Sequence, residues 1–147
     1  MGLHSNASTV RKTEVTIAQM PILNRIAQVI FDKKGMNILG LDVRGVSSMT
    51  DFVIIAEGNV DRHVVAIGDA IIDALKQEGC RAIHTEGLQS GDWVVIDFLD
   101  IMVHLFMPGL REKYQLEELW RAGKIVDLKI SIAPEAAVGF IPPGRKS

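Results

Sequence analysis

Asp92 to Phe106 reads DWVVIDFLDIMVHLF, two apolar runs, DWVVIDF and DIMVHLF, that meet at Leu99-Asp100. A two-residue turn at that junction makes the stretch a β-hairpin in which Phe98 faces Ile101, Ile96 faces Val103 and Val94 faces Leu105. Because side chains alternate along a strand, those six apolar residues share one face. The other face pairs Asp97 with Met102, Val95 with His104 and Trp93 with Phe106, so one side is pure core and the other is mixed. Leu99 is out of place in a tight turn, where Gly, Asn or Asp is usual. It is either an exposed contact residue or the sign of a slipped register.

Outward from the hairpin, Phe52 to Ala56 (FVIIA) has no polar alternation, as expected of a strand buried on both faces. Met36 to Val43 (MNILGLDV) and Arg81 to Thr85 read as further strands, and Lys124 to Ile132 as an added edge strand. Pro21 opens a helix in which Ile22, Ile26, Val29 and Ile30 recur at helical spacing until Lys33-Lys34-Gly35 stops it. Asn59 is placed to cap a second helix of roughly twenty residues, striped by Val60, Val64, Ile67, Ile71 and Leu75 and ending at Glu78-Gly79. Leu116, Leu119 and Trp120 fall on one face of a third helix. This order predicts an α/β fold: a single domain with a mixed, mostly β-sheet core of about five strands covered by helices. Residues 1–20 read as a flexible leader, 21–121 as the domain, and 122–147 as a C-terminal extension whose Gly139, Pro142, Pro143 and Gly144 argue for a loose end.

With 147 residues, 48% hydrophobic and 23% charged, the chain has the composition of one ordinary globular domain. Its net charge of -2 excludes the simplest polybasic nucleic-acid binder. The lone Cys80 cannot form an internal bridge and fits a reducing cytosol. No apolar run approaches the roughly 20 residues of a membrane span, and Met1 to Met20 lacks the apolar centre of a signal peptide. A cytoplasmic protein with no membrane partner is therefore expected. The total charge conceals a division: from Leu41 to Trp120 six basic residues stand against fourteen acidic ones, a body of −8 between flanks of +6. An acidic body attracts basic protein surfaces and repels phosphate backbones.

The chemistry of a catalytic centre is largely missing. Ala56-Glu57-Gly58-Asn59 has one glycine beside an acid, the wrong composition for a phosphate cradle, and no nucleophile elbow is present. One Cys with His4, His63, His84 and His104 matches no zinc spacing. Asp42, Asp97 and Asp100 stand at strand ends and, if they converged, would hold Mg²⁺ for a metal-dependent nucleotidyltransferase; the competing reading is that they cap turns and face a partner. His104 on the mixed face reads as a hydrogen-bonded structural residue. Trp93 and Phe106 beside it are either roofed by a helix or exposed as an aromatic anchor, through which the chain would pair as a homodimer.

Taken in order, Asp42-Val43-Arg44-Gly45, Ser47 to Ile55 (SSMTDFVII), Gly58 to His63 (GNVDRH), Glu86-Gly87, Trp93 to Asp100 (WVVIDFLD), Val103 to Phe106 (VHLF) and Arg111 to Trp120 (REKYQLEELW) resemble the ribosomal silencing factor family, also called Iojap. The resemblance covers about residues 21 to 121. It implies a nucleotidyltransferase-like fold without enzymatic activity or cofactor. It also implies binding to the large ribosomal subunit through ribosomal protein L-fourteen, a basic protein on the face that meets the small subunit, so that subunit joining is blocked sterically and translation falls. Nearby ribosomal RNA is within reach of such a protein, and self-association is compatible with it. The matching positions implied to reach the partner are Trp93, Asp97, Phe98, Asp100, His104, Tyr114, Glu117 and Trp120. The chain departs from the family pattern at Leu99, where Gly is usual, and at Lys113, where an aromatic usually precedes Tyr114.

Overall fold

The computed structural model describes residues 19–110 and 123–132. Among these residues six strands form one sheet: β1 (Met36–Asp42), β2 (Phe52–Glu57), β3 (His84–Glu86), β4 (Trp93–Asp97), β5 (Ile101–Phe106) and β6 (Lys124–Val126), in the order β3-β4-β5-β2-β1-β6. Helix α1 occupies the described residues 19–32, and α2 spans Asp61–Gln77. Strands β2 and β5 pair in parallel and occupy the centre, while every other pairing is antiparallel.

The hairpin has the register its sequence predicts: Trp93 opposite Phe106, Val94 opposite Leu105, Val95 opposite His104, Ile96 opposite Val103 and Asp97 opposite Met102. The slipped alternative is thereby excluded. Val94, Ile96, Phe98, Ile101, Val103 and Leu105 join Phe52, Ile54 and Ala56 of β2 on one face, and α1 and α2 bury that face with Leu23, Ile26, Ile30, Val64, Ile67, Ile71 and Leu75. Burying so many aliphatic side chains, at roughly 1.5–3 kcal/mol each, dominates the gain that opposes chain entropy. A smaller cluster of Leu41, Val43, Val53, Ile55 and Phe106 occupies the opposite face, so FVIIA in β2 is buried on both sides as its unbroken apolar run predicts.

Two local expectations are corrected. The strand read over Arg81 to Thr85 begins later, at His84, because only Ile83 and the residues after it meet Asp97 and the rest of β4. Helix α2 has 17 residues and starts after Val60, which makes no side-chain cap. Asn59 instead donates its backbone N–H to Nδ1 of His63 (2.8 Å). Strand β1 forms as expected but carries an irregularity: its pairing with β2 slips by one residue between Met36 and Leu39, where Asn37 takes a positive φ of 54° and bonds Glu57 through its side chain (3.1 Å). The edge strand expected over Lys124 to Ile132 is confined to its first three residues, β6 (Lys124–Val126). The helix read around Leu116, Leu119 and Trp120 lies outside the described residues.

Candidate functional site

Trp93, Asp97 and His104 share the sheet face away from the helices, where β4 and β5 bring Trp93 against His104 and leave Asp97 about 13 Å along the strand from Trp93. The Trp93 ring lies 5.2 Å from that of Phe106 and 5.9 Å from that of His104, centroid to centroid. The indole N–H of Trp93 donates to Nδ1 of His104 (3.0 Å), so the neutral imidazole carries its proton on Nε2. His104 is only 5% exposed, and burial drives its pKa down to about 4. An imidazole held neutral in this way orients the tryptophan, whose ring remains half-buried.

At the hairpin end, Asp97 accepts the N–H of Leu99 at Oδ1 (2.8 Å), which closes the turn. The exposed Asp100 accepts from the Gln19 side chain at Oδ2 (3.1 Å). Its carbonyl receives the N–H groups of Asp51 (3.1 Å) and Phe52 (3.0 Å), which brings Asp51 alongside. Among the described residues none of these three carboxylates is in an ion pair at hydrogen-bonding distance, and Asp51 has only the longer-range attraction of Arg44. Their charge therefore projects into solvent. Phe98, 7% exposed, is a core residue beneath the turn; it holds the tip from inside rather than presenting a surface, and the same holds for the buried His104. Tyr114, Glu117 and Trp120 lie outside the described residues.

The three acids of the nucleotidyltransferase reading do not converge. Asp42 pairs with Phe52 across β1 and β2 and so belongs to the helix-side face, whereas Asp97 pairs with Met102 on the other. Arg44 grips Asp42 with Nε on Oδ1 (2.9 Å) and Nη2 on Oδ2 (2.6 Å) while lying over the Phe52 ring (5.1 Å). Those hydrogen bonds hold the Asp42 carboxyl below its usual pKa against the opposing effect of burial. Among the described residues no group of three His, Cys, Asp or Glu side chains is arranged to hold a metal ion. The turn at Gly58 folds onto α2, where a Cβ would stand 3.0 Å from the Val64 backbone nitrogen, and Asn59 N–H is already engaged. Half-buried Cys80 keeps its proton because burial raises its pKa, which suits a packing role.

One residue has a role that its sequence context does not declare. His63 accepts from Asn59 at Nδ1 and donates from Nε2 to the Lys33 carbonyl (2.6 Å), which joins the end of α1 to the start of α2. The four-residue spacing from Asn59, close to that of a capping box, is the available signal.

A family model described as "Ribosomal silencing factor during starvation" matches residues 16–140. The chain is 36% identical over 110 residues to ribosomal silencing factor RsfS of Bacillus subtilis, covering 75% of this chain and 93% of the relative. It is 38% identical over 101 residues to the protein of the same name from Haemophilus influenzae, covering 69% and 99%. A crystal structure of a protein from Chromobacterium violaceum superposes with a TM-score of 0.66 at 30% identity, covering 80% of this chain and 96% of that one.

Proposed function

The chain belongs to the ribosomal silencing factor family, and on that premise we propose that it binds the large ribosomal subunit through ribosomal protein L-fourteen and blocks joining of the small subunit by occupying the shared face. The action is steric, with no chemical step. The observation that carries this reading is the group of carboxylates at the hairpin end of the sheet, Asp97 and Asp100 with no ion pair among the described residues and Asp51 alongside, with the half-buried Trp93 that His104 orients at the other end of β4. A carboxylate with no ion pair among the described residues is free to meet a cation from a partner, and an aromatic ring further along the same strand supplies an apolar contact of the kind that dominates interface energetics. A basic ribosomal protein complements this surface. The +6 flanks of the chain suit the ribosomal RNA that surrounds such a protein. The place of action under this reading is the cytoplasm.

Cosedimentation with isolated large subunits tests the proposal. The chain pellets with the subunit at low salt and is released as salt rises, because the charge complement is screened. Small subunits added afterwards form fewer joined particles. A chain that stays in the supernatant at low salt overturns the reading.

A further inference from the structure

Seven large apolar side chains stand exposed among the described residues, and Val46, Met49, Ile83 and Leu99 collect at one end of the sheet. Backbone hydrogen bonds tie their segments into a single rim. Ile83 N–H donates to the Asp97 carbonyl (2.8 Å), Asp51 N–H to that of Asp100 (3.1 Å), and Val43 N–H to that of Asp51 (2.9 Å). Met49 lies two residues before Asp51, and Leu99 directly precedes Asp100. Scattered exposed apolar residues need no explanation, but a gathering of them marks an interaction surface.

Leu99 carries the inference. Its φ is 81°, in the left-handed region, where a side chain costs roughly 1–2 kcal/mol. Asp100 does not share the positive φ, so the two-residue turn is of the kind that wants glycine at its first position. Yet the leucine is 62% exposed, and no burial among the described residues offsets the strain. A strained, solvent-facing apolar side chain at a loop tip points to a use outside the fold.

We propose that Leu99, flanked by Met49 (74% exposed) and Ile83 (61% exposed), is the anchor of a docking rim that seats in a partner surface apolar at its centre and cationic at its edge. Charge selects the partner. Asp97 and Asp100 stand on either side of the leucine in the chain, their carboxylates hydrogen-bond only to neutral groups among the described residues, and Asp51 adds a third acid next to Asp100. A second copy of the rim would set these acids against one another, and a phosphate backbone or anionic lipid would be repelled. The inference rests on the large-subunit reading and adds to it a leucine pocket on the basic partner.

Two quantities measured on Leu99→Gly and Leu99→Asn test this, since both residues tolerate the left-handed turn. With an anchor at Leu99, both variants melt no lower than the wild type and bind isolated large subunits roughly tenfold more weakly, the loss expected for one unburied leucine. The control Ile132→Ser, at an equally exposed position outside the rim, binds as the wild type does. Wild-type binding by both Leu99 variants overturns the rim while leaving the large-subunit reading in place. Variants that melt below the wild type assign the side chain to the fold and overturn the rim as well. A wild-type chain that fails to sediment with the subunit overturns the large-subunit reading and the rim with it.

Discussion

Trp93 and His104 sit on neighbouring strands, and the hydrogen bond from the indole N–H to Nδ1 (3.0 Å) requires the imidazole to be neutral. Protonation of Nδ1 would place two N–H donors against each other. Burial acts in the same direction and lowers the His104 pKa from 6.5 to about 4.

Acid therefore weakens the fold through this pair. A group whose pKa is depressed on folding contributes its full stability above the unfolded value, and loses it as pH falls through the folded one. Between pH 6.5 and about 4 the unfolded chain takes up a proton that the folded chain refuses. The expected loss is about 3 kcal/mol. Urea unfolding at pH 7, 5.5 and 4 measures it. His104→Phe should flatten the profile over this range, and an unchanged slope in that variant would assign the acid sensitivity to other groups.

The bridge through His63 has its own cost of removal. Its two hydrogen bonds join the Lys33 carbonyl and the Asn59 N–H across 26 residues of chain. His63→Ala should destabilise by about 1–3 kcal/mol, the net worth of two such bonds. Hydrogen exchange at Asn59 should quicken in the variant. An unaltered rate would mean that water replaces the ring nitrogen at no cost.

Asp42 separates the steric reading from the metal-dependent one. With Asp42 engaged by Arg44 and set on the other sheet face from Asp97, Asp42→Asn should cost about 1–2 kcal/mol of stability through the weakened charge-assisted pair. Large-subunit binding should persist in that variant. Loss of nucleotide turnover in Asp42→Asn, where the wild type shows turnover, would revive the enzymatic alternative.

The parts of the fold legible in the sequence are those that local rules determine. Side-chain alternation and a two-residue turn leave the hairpin one register that puts six apolar residues on one face, and the unbroken run in β2 has no polar residue to turn outward. His84-Thr85-Glu86 has no apolar signal, so β3 exists only because β4 offers its edge. Asp97 was legible as a turn acid, whereas the Asp100 carboxylate meets Gln19 of α1 instead. Whether Asp42 met them depended on face parity across four strands and a parallel β2–β5 pairing, which no local pattern encodes. The segment after β6 lay beyond local rules too, because its partners are more than one hundred residues away.

That segment is held to α1 by side-chain amides that imitate a neighbouring strand. Lys129 N–H donates to Oδ1 of Asn24 (2.8 Å), and Ser131 N–H to Oε1 of Gln28 (2.6 Å). Gln28 returns a bond from Nε2 to the Ser131 carbonyl (3.0 Å). The geometry works because four residues of helix rise about 6 Å, nearly the 6.6–6.8 Å that two residues of strand advance. Between the two anchor points, Leu128 covers Gly40 of β1, where a Cβ would come within 3.1 Å of the leucine side chain. Asn24→Ala and Gln28→Ala should each cost about 1 kcal/mol, and Leu128→Ala about 2 kcal/mol. The cost of the double variant Asn24→Ala, Gln28→Ala should fall short of the sum, because releasing either anchor already frees the backbone that the other holds. Gly40→Val should displace Leu128 and quicken exchange at Lys129 and Ser131 together. Strict additivity, with exchange at Ser131 unmoved by Asn24→Ala, would mean that the two amides hold independent segments rather than one strap.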